Sequence, residues 1–204
     1  MSATTSPSSL VRTGGGLASA ASGILLLLGH LFVLGGDPEY GTALGGTLVL
    51  AAHVALVFGL VALWSAQAER SGLLGSLGMV LGVVGTTLVS GVVLVEIAGA
   101  SGVEVDALLG DGLPSVLALL GGLAFLIGLI LFGIATMRAD VFPRLAGLLL
   151  IVGDVMFGLG SFAGSAATIF EIVGAAITCT ALVWLGFSLL SGIGASARRP
   201  TRVN

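Results

Sequence analysis

The chain contains no lysine. That absence removes a retinal-type Schiff base and a Walker A phosphate loop, both of which need the amine. A single cysteine, Cys179, rules out an intrachain disulfide; it falls in an apolar stretch, where a thiol serves as a small packing residue. Charge is scarce too: 8% of residues are charged, against about 25% in a soluble domain. No basic run is dense enough for nucleic acid, there is no G-x-S-x-G, and no apolar run carries a voltage-sensor file of arginines. The segments between the apolar runs are too short to hold a nucleotide-binding or hydrolase domain.

What is present is hydrophobic. Apolar residues make up 56% of the 204 residues, glycine contributes 34, and mean hydropathy is +1.19. Apolar runs lie near 15–35, 44–66, 72–98, 114–137, 145–164 and 167–191. A bilayer span needs about 20 such residues, and only a helix satisfies its own backbone in lipid. All seven basic residues are arginines, and they occupy alternate gaps. Arg12 precedes the first run, Arg70 follows the second, Arg138 and Arg144 follow the fourth, and Arg198, Arg199 and Arg202 follow the sixth. The other gaps hold Asp37 and Glu39, then Glu104, Asp106 and Asp111. The positive-inside bias reads this as an all-α integral membrane bundle of six transmembrane helices, N-in and C-in, in the cell membrane, with the arginines as topology anchors. The domain covers 14–192, between a disordered cytoplasmic N-terminus at 1–13 and a basic cytoplasmic tail at 193–204. The first run reads as a retained span rather than a cleaved signal, because apolar character continues through Phe32, Val33 and Leu34 with no small-x-small site before Asp37.

Gly72, Gly75, Gly78, Gly82 and Gly85 form a helical stripe, and Gly160 and Gly164 a second small pair. Such faces allow close helix approach, within the monomer or in a homo-oligomer. A faint parallel repeat relates Arg70, Gly72 and Gly78 to Arg144, Gly147 and Gly153. Val103, Val105, Leu108 and Leu109 predict one amphipathic turn, and Gly164–Ala167 a tight hairpin. Trp64 and Tyr40 fit interfacial anchors, while Trp184 lies deeper and fits packing.

Five ionisable residues fall inside the runs: His30, His53, Glu96, Asp154 and Glu171. Counted from the acidic ends at 1.5 Å per residue, His30 is about 8 Å deep, His53 about 14 Å, Asp154 about 15 Å, and the two glutamates within about 6 Å. Ionisable groups at such depth face a bundle interior or a cavity. Together they predict a candidate polar site opening outward, with a His53–Asp154 pair permitted by depth. Glu96 and Glu171 read equally as interfacial carboxylates. No cofactor is predicted. Haem on His30 and His53, or a divalent metal held by those histidines and a carboxylate, stand as alternatives, although C-x-x-C-H and H-x-x-x-H spacings are both missing.

The stretch Phe142-Pro143-Arg144-Leu145-Ala146-Gly147-Leu148-Leu149 resembles the Pro-Arg-x-x-Gly start of a late helix in small six-span prokaryotic integral membrane proteins of uncharacterised function. The resemblance implies six spans with short loops and assigns no reaction and no catalytic residue. The leading reading is a multi-pass membrane protein without enzymatic chemistry, acting by helix packing or protein partnership in the lipid bilayer. A small proton- or metal-linked transporter and a bis-histidine haem redox protein are the alternatives.

Overall fold

Gly72 sits at φ +57° and ψ −153°, a conformation that a side chain would strain, and there the longest helix doubles back. The computed structural model describes residues 9–34, 36–37, 40–110, 112–160 and 162–192. Its helices are α1 (Ser9–Val33), α2 (Ala43–Ala100), α3 (Asp106–Leu109), α4 (Leu113–Ala139), α5 (Arg144–Gly160) and α6 (Ala167–Leu190). A short 3₁₀ turn, Gly164–Ala166, precedes α6. The described residues hold no sheet; an isolated bridge pairs Asp37 with Gly41.

With 58 residues, α2 would run about 87 Å if straight. Instead Trp64 Nε1 donates to Ser76 Oγ at 3.3 Å, and a Cβ on Gly46 would lie 2.6 Å from Ile97 Cγ1. Those contacts close only if arms 43–71 and 73–100 form an antiparallel hairpin. The same logic orders the rest. Gly59 backs onto Ser19, Gly78 onto Phe132, Gly133 onto Ile151, Gly153 onto Thr178, and Gly23 onto Cys179. The bundle therefore runs α1, arm 43–71, arm 73–100, α4, α5 and α6, each antiparallel to the last, and α6 closes back on α1.

Local chemistry sets the ends. Thr42 Oγ1 accepts from Gly45 N at 3.0 Å, capping α2, and its hydroxyl donates to Phe32 O at 2.7 Å, tying the cap to α1. Pro114 stands in the first turn of α4, and Asp140 ends that helix in the left-handed region at φ +54°.

Among the described residues, four helical segments are long and apolar enough to cross a membrane: Ser9–Val33, Ala43–Ala100, Leu113–Ala139 and Gly164–Leu190. The 17 residues of α5 add about 25 Å. The chain has the character of a membrane protein. Two boundaries differ from the sequence reading. The α1 helix starts at Ser9, so 9–13 are helical rather than disordered, and Gly15 and Gly16 are buried against arm 43–71 and α6. Helix also continues through 67–71, expected as a loop, because Gly72 reverses the chain in a single residue. The tail arginines Arg198, Arg199 and Arg202, together with residues 1–8, Glu39 and Asp111, lie outside the described residues.

The arginines that are described gather at one end of the bundle. Arg70 Nη1 donates to Asp140 O at 3.2 Å, Arg144 Nε pairs with Asp140 Oδ1 at 3.1 Å, and Arg138 is on the last turn of α4. Arg12 lies beside Gly192, after the end of α6. The opposite end carries the acidic loops, where Tyr40 donates its hydroxyl to Asp106 Oδ1 at 2.6 Å and its ring lies over Gly99. Beside them α3 forms the short turn expected at 103–109, with Val105 buried and Val103 and Leu108 exposed.

The glycine stripe is used inside the monomer. Gly75, Gly78, Gly82 and Gly85 are all buried, the last three along α4. Gly160 meets α6 at Glu171, and Gly164 is a turn residue at φ +54°.

Candidate functional site

Both histidines are built the same way. His53 lies on arm 43–71 and His30 on the neighbouring α1; each donates from Nδ1 to the carbonyl four residues earlier, Val49 O and Leu26 O, at 2.8 Å. A carbonyl only accepts, so the bond fixes the Nδ1–H tautomer and leaves Nε2 as the one nitrogen free to take a proton or ligate. Aromatic rings hold the imidazoles in place. His30 meets Phe157 of α5 edge-on at 5.1 Å, and His53 meets Phe125 of α4 at 5.6 Å.

His53 is 5% exposed and borders a small cavity with Ser22, Leu26, Ala52, Leu56, Phe125 and Leu182. Its volume is about 10 Å³, room for roughly one water molecule. Towards the acidic end, His30 meets Phe157 and Glu171 packs against Gly160, one turn further along α5. A Cβ on Gly160 would meet Glu171 Cγ at 3.0 Å. Four of the five sequence-picked residues thus form a file, from Glu96 and Glu171 near the acidic loops to His53 at mid-bundle.

Asp154 stands apart. It is 3% exposed on α5, and its Oδ2 has no hydrogen-bond partner among the described residues. His53 spends its Nδ1 on Val49, and no bond joins the histidine to Asp154. Asp154 follows Leu150, one turn along α5, whereas His53 turns to Phe125.

Among the described residues no three His, Cys, Asp or Glu side chains converge within reach of one metal ion. Proton binding needs no such cluster. It requires a basic nitrogen, neighbouring carboxylates and at most a water, and those are the groups in the file.

The sequence reading, restricted to ionisable residues, missed another buried polar group. Gln67 Nε2 donates to Thr136 Oγ1 at 3.0 Å near the arginine end, and Gln67 Oε1 and Ser71 Oγ are buried without partners. Gln67 was legible as a polar residue two heptads beyond His53 on a leucine face.

Comparison with family models, curated proteins and solved structures finds no match for this chain. The resemblance at 142–149 therefore stands on those residues alone.

Proposed function

We propose that this chain is a six-span integral membrane protein of the cell membrane, with both termini on the cytoplasmic side, that acts without enzymatic chemistry and handles protons in its outer half. The six crossings are α1, the two arms of α2, α4, α5 and α6. Support for the orientation comes from Arg12, Arg70, Arg138 and Arg144 lying at one end of the bundle.

The observation that carries the proton reading is the shared Nδ1 anchoring of His30 and His53. Fixing the tautomer through the backbone leaves Nε2 of each ring as the exchangeable position. Glu171 and Glu96 lie nearer the acidic loops, toward the ends of their helices. Protons suit the room available, since the cavity beside His53 admits about one water and no larger solute.

The chain has only two histidines, which makes the test direct. Protein labelled with ¹⁵N-histidine in bilayers should show two ring systems, both Nδ1–H at high pH, each gaining a proton at Nε2 as pH falls. Glu171→Gln should move the titration of His30 more than that of His53. An Nε2–H tautomer, or rings that fail to titrate while the protein remains folded, would overturn the reading.

A further inference from the structure

The inward faces share one pattern. On arm 43–71 the buried residues His53, Leu56, Leu60, Leu63 and Gln67 fall at i, i+3, i+7, i+10 and i+14, a single helical face. It is polar at both ends and leucine in the middle. On α6 the buried sequence Thr178, Leu182, Leu185, Ser188 repeats it. On α4, Leu129 and Phe132 precede Thr136, and all three are fully buried. All three elements run from the acidic end to the arginine end, so the pattern has the same sense in each. The leucines and Phe132 belong to one packed cluster, joined by Leu150 of α5, with Asp154 one turn nearer the acidic end.

Among the described residues, three orphaned atoms lie at the polar ends, and a fourth, Thr86 Oγ1, lies beside the leucine layer, one turn from the Gly82 that meets Leu60 and Leu129. Asp154 Oδ2 lies on the acidic side of the cluster; on the arginine side lie Gln67 Oε1, whose amide nitrogen donates to Thr136, and Ser71 Oγ, one helical turn further along. A buried amide oxygen and hydroxyl left unpaired are costly unless water reaches them. Between Leu56 and Leu63 the dry layer is about 10 Å thick, and His53 and Gln67 are about 21 Å apart along the helix. The cavity beside His53 has Leu56 and Leu182, members of that cluster, among its walls.

We propose that the leucine and Phe132 layer is a hydrophobic gate between two polar ports, and that Gln67, Ser71 and Thr136 form the inner port of a water-borne proton path whose outer port is His53. This deepens the proton reading above and rests on it. An apolar constriction blocks such a path by excluding water, without any charge at the gate. The inner port has hydroxyl and amide groups and no carboxylate, which suits a chain of waters passing a proton rather than a metal cation.

The test uses full-length protein in vesicles loaded with a proton-sensitive dye and driven by a potassium diffusion potential. Leu63→Asn keeps the side-chain size and makes the gate polar. It should raise proton flux by at least about tenfold over the parent, as lowering the barrier by about 1.4 kcal/mol would. Leu185→Asn, on another helix, serves if Leu63→Asn does not fold. Adding Gln67→Leu with Thr136→Val should abolish the gain. A folded gate variant with parental flux overturns the gate. A raised flux that persists after Gln67→Leu and Thr136→Val overturns the inner port. A raised flux that survives His53→Leu leaves the gate intact and overturns the outer proton reading instead.

Discussion

Two glycines on the same arm of α2 meet opposite surroundings, and the contrast yields a quantitative expectation. A Cβ on Gly85 would fall on the backbone nitrogen of Phe125 and lie 2.5 Å from its Cα; a Cβ on Gly91 would meet nothing within 4 Å. Gly85→Ala must therefore push arm 73–100 away from α4, and overpacking of this kind costs about 1–3 kcal/mol. Gly91→Ala adds a methyl in open space and removes the backbone freedom of a mid-helix glycine, a gain of about 0.5–1 kcal/mol. The variants should differ by roughly 1.5–4 kcal/mol in unfolding by SDS in mixed micelles. The displacement also reaches the candidate site, because Phe125 holds the ring of His53. Gly85→Ala should broaden or shift the His53 ring signals and leave those of His30 unchanged. Equal stabilities for the two variants would refute the close approach of arm 73–100 to α4.

Other contacts give further expectations. Thr42→Ala loses the cap of α2 and the bond to Phe32 O, which should cost about 0.5–2 kcal/mol in the same unfolding assay, with Thr42→Ser restoring most of it. Asp154→Leu removes a buried orphaned oxygen and should raise stability by about 1–3 kcal/mol; a loss of similar size would reveal a partner for the carboxyl. Tyr40→Phe deletes the hydroxyl that reaches Asp106 and should speed hydrogen exchange across 101–110, with a local cost of about 0.5–1.5 kcal/mol; unchanged exchange would show that the contact does not hold the loop.

Much of the architecture was legible because arginine is sorted by position. The gaps bearing Arg12, Arg70, and Arg138 with Arg144 come together at one end of the bundle, as their alternation implied. Segment boundaries were less legible. The mostly polar residues 67–71 read as a loop, but the reversal takes only Gly72, so they stay helical. The role of the glycine stripe also needed the fold, since sequence periodicity marks a close-packing face without naming its partner. Depth placed the ionisable residues along the membrane normal but said nothing of their direction around each helix. Depth alone therefore permitted a His53–Asp154 pair, whereas His53 donates to Val49 O and meets Phe125. The Gln67–Thr136 contact was missed for a chemical reason: uncharged amides and hydroxyls escape a search for titratable groups.

The proposed proton path requires the arginine end to face the cytoplasm and the bundle to cross the membrane six times. Alkaline phosphatase fused in turn after Arg70, Gly102, Arg138 and Gly164 tests both at once, since the enzyme is active only outside. Six crossings in the proposed orientation require activity after Gly102 and Gly164 and none after Arg70 and Arg138. Activity after Arg70 or Arg138, or silence after Gly102 or Gly164, would contradict them.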